Sequence, residues 1–337
     1  MKDLHKLKRE FLEHCEIEKG QSVNTIENYG RYLDRFFKWL ENLKKEEKEE
    51  RDGEKKSDNI YIYPSDINEE NVRKYRLFVN RIGGSEGLKV STQNHHILSL
   101  RSFLRYLSGR GVRSLLPERI TLAKAGERKI SFLDIEEYKR LIEAPDAAKS
   151  DEMRDKAMLE LLFSTGMRVS ELCSLSLEEI NFDRGEISVL GKGKKIRVVF
   201  ISEQALEFML KYLESRGMIK IEEGKDEETK RRVIVPDASK KQPVFVSSRG
   251  NRINPRAVER MVQKCSKLAG ITKQVTPHTL RHTFATDLLQ SGADIRSVQS
   301  LLGHSNITTT QVYTHVTDQH LREVHKRFHN KSEQTKK

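Results

Sequence analysis

The chain has 337 residues, enough for two domains of ordinary size, with 36% hydrophobic and 33% charged residues and a formal net charge of +12. The charge suits a polyanionic partner, nucleic acid ahead of an anionic membrane surface, and the periodic apolar residues argue against wholesale disorder. Cys15, Cys173 and Cys265 are odd in number and far apart, with no CxxC pair, so neither a disulfide framework nor a cysteine zinc site is suggested. No apolar run approaches the roughly 18 residues of a membrane helix. The charged opening "MKDLHKLKREFLEHCEIEKG" is no signal peptide, so a cytoplasmic protein is expected, without membrane association.

Residues 1–108 read as helices. Leu4, Leu7, Phe11, Leu12 and Cys15 share one helical face. Ser22 is placed to cap a second helix, striped by Ile26, Tyr29, Leu33, Phe36 and Leu40. Val72, Tyr75, Val79 and Ile82 mark a third; Ser91 is placed to cap a fourth carrying Ile97, Leu100, Leu104 and Leu107. Between the second and third, "KKEEKEERDGEKKSD" at 44–58 has no apolar residue and reads as a solvated extension or disordered loop. Residues 109–129, rich in Gly, Pro and basic side chains, read as an interdomain linker.

From residue 130 the pattern is mixed. Helical signals cover 134–143, 152–164 and 168–175. "GEISVLGKGKKIRVVFI" alternates as two strands joined at Gly-Lys-Gly, and a helix follows Ser202. Residues 219–241 look like a polar insertion, "PVFVS" like a short strand, and Asn254-Pro255 like a helix start.

"TPHTLRHTFATDLLQSG" at 276–292 concentrates chemistry. Thr276 is a plausible N-cap with Pro277 at the first helical position, so His278 lies in the first turn, where free N–H groups and the helix dipole attract anions. Arg281 sits about 60° round the helix from His278. Three readings compete: a zinc pair of His278 and His282, an ordinary helix with polar side chains, and half of a phosphate-handling site. The metalloprotease form of the zinc pair requires Glu beside the first His, and Thr279 stands there. Elsewhere, "STGMRVSELCSL" puts Arg168 after a Gly turn with Glu171 placed to pair with it, "GKGKK" puts Lys192 at a hairpin tip, and "LLGHSNITTTQVYTHV" carries His304 and Tyr313. Taken singly, each has a bland alternative: a surface ion pair, a solvated lysine, a half-buried tyrosine. Together they suit a phosphodiester handled without metal. Arginine forks neutralise non-bridging oxygens, a tyrosine oxygen is a competent nucleophile once activated, and a lysine can protonate a departing oxygen. No carboxylate cluster for Mg²⁺ and no P-loop pattern occurs.

These residues in this order resemble the tyrosine recombinase (phage integrase) family, its Xer-like branch in particular. The matching motifs, "STGMRVSEL", "VLGKGKKIRVV" and "TPHTLRHTFATDLLQSGADIRSVQSLLGHSNITTTQVYTHV", span residues 164–316. The resemblance implies a mainly α protein: a four-helix core-binding, SAM-like domain at 1–108, a linker at 109–129, a mixed α+β catalytic domain with a small antiparallel sheet at 130–330, and a tail at 331–337. It implies that Arg168 and Arg281 clamp the scissile phosphate and that Lys192 protonates the leaving 5′ oxygen. His278 serves as acid/base, His304 hydrogen-bonds the phosphate, and Tyr313 forms a 3′-phosphotyrosyl link. His282 matches a non-catalytic position. The implied function is site-specific recombination of double-stranded DNA by a homotetramer, or a heterotetramer with a second recombinase, with no cofactor, metal or ATP, in chromosome-dimer resolution or in integration and excision. A helix with Leu321, Val324 and Phe328 on one face would be the segment exchanged between neighbours. The alternatives are a type IB topoisomerase-like relaxing enzyme, marked by sequence-independent relaxation, and a non-cleaving DNA-binding regulator, marked by binding without cleavage.

Overall fold

α-Helices dominate the computed structural model, which describes residues 3–52, 60–82, 84, 87–124, 126, 131–146, 148–191, 195–222, 231–234 and 242–303. The chain divides into two compact units, Met1–Arg128 and Lys129–Lys337.

The first unit is built from α1 (Leu4–Ile17), α2 (Val23–Asp52), α3 (Glu69–Arg81) and α4 (Val90–Gly109). Asp3 caps α1 by accepting from the His5 N–H, and Asn68 caps α3 by accepting from that of Asn71. The expected apolar stripes meet in one core: Leu4, Phe11, Leu33, Phe36, Phe37, Tyr75, Phe103 and Leu104 are buried, each such side chain contributing about 1.5–3 kcal/mol. Two expectations change. α2 runs on to Asp52, so residues 44–52 of the charged run are helical. Lys and Glu are good helix formers that need no core when the helix is already nucleated, and Lys44 is fastened to Asp66 at 2.9 Å. α4 starts at Val90 behind Lys89, so Ser91 lies inside the helix. Residues 53–59 lie outside the described set.

Part of the 109–129 segment packs on this unit. A short 3₁₀ turn at Pro117–Arg119 buries Pro117 and leads to buried Ile120. Asn94 and Ala123 exchange two hydrogen bonds, Nδ2 to carbonyl at 2.9 Å and backbone N–H to Oδ1 at 3.1 Å.

In the second unit α5 (Ile135–Glu143), α6 (Ser150–Thr165) and α7 (Val169–Ser174) precede a small sheet. α6 is the central helix: residues 157–162 are all buried, including Glu160, which accepts from the Tyr138 hydroxyl and Gln204 Nε2. Strands β1 (Ile180–Asn181), β2 (Glu186–Leu190) and β3 (Ile196–Phe200) form an antiparallel meander, with Val189 opposite Arg197 and Ile187 opposite Val199. The expected hairpin is therefore present, while its tip at 192–194 lies outside the described residues. α8 (Glu203–Ser215) follows, capped by Ser202.

The region read as a polar insertion contributes structure: β4 (Ile219–Glu222) pairs antiparallel with β5 (Arg231–Ile234), and Ile219 is buried in the core. Alternating Ile219 and Ile221 are the strand signal that the charged composition hides. "PVFVS" is no strand but two isolated bridges, Ser176 to Pro243 and Val246 to Arg252. There the chain crosses the α7 end briefly, while Val244 and Phe245 enter the core. α9 (Pro255–Leu268) begins at the Asn254 cap as expected. α10 (Pro277–Gln290) and α11 (Ile295–Leu302) are the last elements among the described residues, joined by buried Ala285, Leu289, Val298 and Leu302. The proposed exchange helix after residue 313 and the tail at 331–337 lie outside the described residues.

Candidate active site

The start of α10 is built as its sequence suggests. Thr276 accepts from the Thr279 N–H at 3.2 Å, and the Thr279 hydroxyl accepts from the Thr276 N–H at 3.1 Å. Thr283 then accepts from the Leu133 N–H at 3.0 Å, holding the helix against the start of the unit. His278 is exposed on the first turn. Surrounding protein removes part of its ring's hydration, and the charges of Arg281 and Arg168 add to that, so its proton affinity falls below the ordinary histidine value; Glu259 opposes weakly. A neutral imidazole is favoured at neutral pH, as a proton acceptor requires. His282 is held to about 4 by burial, His278 and Arg281.

Arg281 is 4% exposed. One terminal nitrogen donates to the Gly166 carbonyl at 2.6 Å and the other to the Leu302 carbonyl at 2.7 Å. Gly166 ends α6 in the left-handed region with φ 58°, and a Cβ there would lie 2.3 Å from Phe284 Cδ1. Only glycine allows this turn to meet α10 so closely. Two residues later Arg168 begins α7. Its N–H donates to Glu171 Oε2 at 2.7 Å, one terminal nitrogen donates to Oε1 at 2.8 Å, and the other to the Gly303 carbonyl at 3.2 Å. The expected Arg168–Glu171 pair is thus made.

Sequence reading missed Arg197 on β3. It forks onto Glu171, at 2.9 Å to Oε1 and 2.8 Å to Oε2, and its Nε donates to the Leu301 carbonyl at 3.1 Å. A signal existed: strand parity puts Arg197 on the covered face with Val199, and an inward arginine demands a carboxylate. Burial raises the proton affinity of Glu171, but hydrogen bonds from Arg197 and Arg168 outweigh it and hold the carboxyl at about 2.

The structure therefore brings Arg168 and Arg281 together at the end of α11, with His278 close enough to feel both charges. Lys192, His304 and Tyr313 lie outside the described residues. Among the described residues, no three His, Cys, Asp or Glu side chains gather as a metal-ligand set, and no helix is long and apolar enough to cross a membrane.

Two family models match the chain. "Phage integrase family" covers residues 131–320, and "Phage integrase, N-terminal SAM-like domain" covers 9–52. Tyrosine recombinase XerC of Thermodesulfovibrio yellowstonii is 38% identical over 320 residues, covering 95% of this chain and 94% of that protein. Tyrosine recombinase XerD of Listeria monocytogenes is 33% identical over 327 residues, covering 97% and 99%. Among solved structures, the Tn1549 transposon integrase in complex with transposon right end DNA matches with a TM-score of 0.67 at 17% identity, over 96% of this chain and 99% of that one. That likeness speaks for the fold. With relatives of this identity along nearly the whole length and a family model over more than half of it, the chain belongs to the phage integrase family as a Xer-like tyrosine recombinase, a site-specific recombination enzyme.

Proposed function

We propose that this recombinase cuts and rejoins double-stranded DNA through a transient 3′-phosphotyrosyl bond at Tyr313. The observation that carries the reading is the convergence of Arg168 and Arg281 at the end of α11, one residue before His304, with His278 within reach of both charges. Two guanidiniums there suit the non-bridging oxygens of a phosphodiester as it gains charge on the way to five-coordination. In this mechanism the Tyr313 oxygen attacks phosphorus, neutral His278 takes the phenolic proton, and His304 donates to a phosphate oxygen. The P–O5′ bond breaks, with Lys192 supplying the proton to the 5′ oxygen. A 5′ hydroxyl of another strand reverses the sequence, so the bond energy is kept and neither ATP nor a metal ion enters.

The first unit, about residues 1–108, serves DNA binding, 109–129 serves as connector, and 130–330 carries the chemistry. Four copies acting on two sites, alone or with a second recombinase, complete the reading, with the enzyme in the cytoplasm beside its DNA. Sedimentation of the protein–DNA complex tests the count. The decisive experiment incubates the protein with a pool of randomised duplexes in EDTA, quenches with detergent, and sequences whatever DNA is covalently captured. Adducts that vanish with Tyr313→Phe are expected; adducts that persist in that variant defeat the assignment. Relaxation of supercoils without sequence preference would instead favour the topoisomerase alternative.

A further inference from the structure

Three arginines dock on three consecutive carbonyls at the end of α11: Arg197 on Leu301, Arg281 on Leu302 and Arg168 on Gly303. A helix C-terminus presents unpaired carbonyls and the negative end of its dipole, so it is a natural seat for guanidiniums. Arg281 and Arg168 belong to the reading above. Arg197 does not: its side chain is 11% exposed and all three of its guanidine nitrogens are engaged, two with Glu171 and one with Leu301. Gly303, with φ 64°, lies so close that a Cβ there would stand 2.9 Å from Arg197 Cδ.

We propose that Arg197 is a positioning residue for the reaction: through the Glu171 carboxylate and the last turn of α11 it sets the Arg168 guanidinium where the scissile phosphate will be bound. The proposal rests on the reading of Arg168 as a phosphate-binding residue. Its logic is competition for one carboxylate. Glu171 receives two donors from Arg197 and two from Arg168, the latter including the backbone N–H. With the Arg197 fork in place, the carboxylate is spoken for on both oxygens and the Arg168 side chain needs only one of its nitrogens to hold it. Without that fork, Arg168 is the one remaining ion-pair partner of the buried carboxylate among the described residues, and an unpaired buried charge draws its remaining partner in. Arg168 would then close bidentately on Glu171 and leave Gly303. The same loss releases the Leu301 carbonyl, loosening the turn that leads to His304. Three guanidiniums against one carboxylate also keep a surplus of positive charge for a phosphate.

The test uses a nicked duplex carrying the sequence captured by the wild-type chain. Arg197→Met is expected to slow covalent adduct formation by roughly 10–100-fold, the scale of a misplacement of about 1 Å, while affinity in a mobility-shift assay is retained. Arg197→Lys keeps the charge but not the fork and is expected to be slowed as well; it replaces the Met variant if that one fails to fold. The discriminating measurement is the double-mutant cycle: in an Arg168→Lys background, the Arg197 substitution adds little further loss, because the residue it positions is already altered. Losses that multiply would mark a merely structural role and overturn the proposal, as would Arg197 variants that cleave at the wild-type rate. A wild-type chain that forms no adduct overturns the functional reading together with this one.

Discussion

Arg281, proposed above to hold the scissile phosphate, is also part of the scaffold. Its fork spans two carbonyls from different segments, Gly166 and Leu302, a task that the point charge of lysine does not perform. Arg281→Lys should therefore leave a buried carbonyl unpaired and lower stability by about 1–3 kcal/mol, measured by urea denaturation, alongside its loss of cleavage. A stability equal to wild type would contradict that bridging role. The titrating groups predict two separate pH windows. His96 in the first unit is hydrogen-bonded through Nδ1 to the Tyr75 hydroxyl at 3.0 Å, and burial, with Arg35 and Arg31, holds it at about 4 against 6.5 when unfolded. The unfolded chain thus binds the extra proton between pH 6.5 and 4, and stability falls as pH drops through that window. Relative to wild type, His96→Gln should show a shallower fall there. Glu171, folded at about 2, contributes stability that is present above the ordinary glutamate value and lost as pH falls from there toward 2. Glu171→Gln should remove that lower dependence; an unchanged acid limb in thermal melts would count against the Arg197–Glu171–Arg168 linkage.

Among the described glycine turns, the one between α6 and α7 leaves the least room for a side chain. Gly166→Ala combines a positive φ with a 2.3 Å approach to Phe284, so it should destabilise by at least the roughly 1–3 kcal/mol of such a backbone strain and depress cleavage through displacement of Arg168. Thermal melting and adduct kinetics on the same variant check both. Thr276→Ala, by contrast, removes only the α10 cap and should cost about 1 kcal/mol. Elements set by local rules were legible in the sequence: the Asn254-Pro255 and Thr276-Pro277 starts, the apolar stripes of the first unit, and the β2–β3 hairpin. Where composition and periodicity disagreed, legibility failed. The Lys/Glu run at 44–52 is equally good helix and good loop, and what decides is the nucleated helix before it. β4 is four residues inside a charged stretch. Arg197 was hidden for another reason: its partner Glu171 lies 26 residues away, and no local window contains both. Arg168, with Glu171 three residues on, could be read directly.

For the whole molecule, each unit holds its own apolar core, so fragments 1–128 and 129–337 should each melt cooperatively by circular dichroism; a fragment without a transition would show that its core depends on the other unit. The charge of +12 predicts that the logarithm of DNA affinity falls linearly with that of salt concentration. A binding isotherm insensitive to salt would contradict a phosphate-led interface.

The three cysteines are buried and unbridged. Burial lifts the thiols of Cys173 and Cys265 to about 11 and that of Cys15 above its usual value, so at neutral pH none offers a reactive thiolate. The chain thus comes with a silent background for spectroscopic labelling. Cysteines introduced at exposed Ser108 and Thr272, one in each unit, would accept a donor and acceptor dye with the native thiols left in place. The distance between the two units can then be followed in real time as DNA is added.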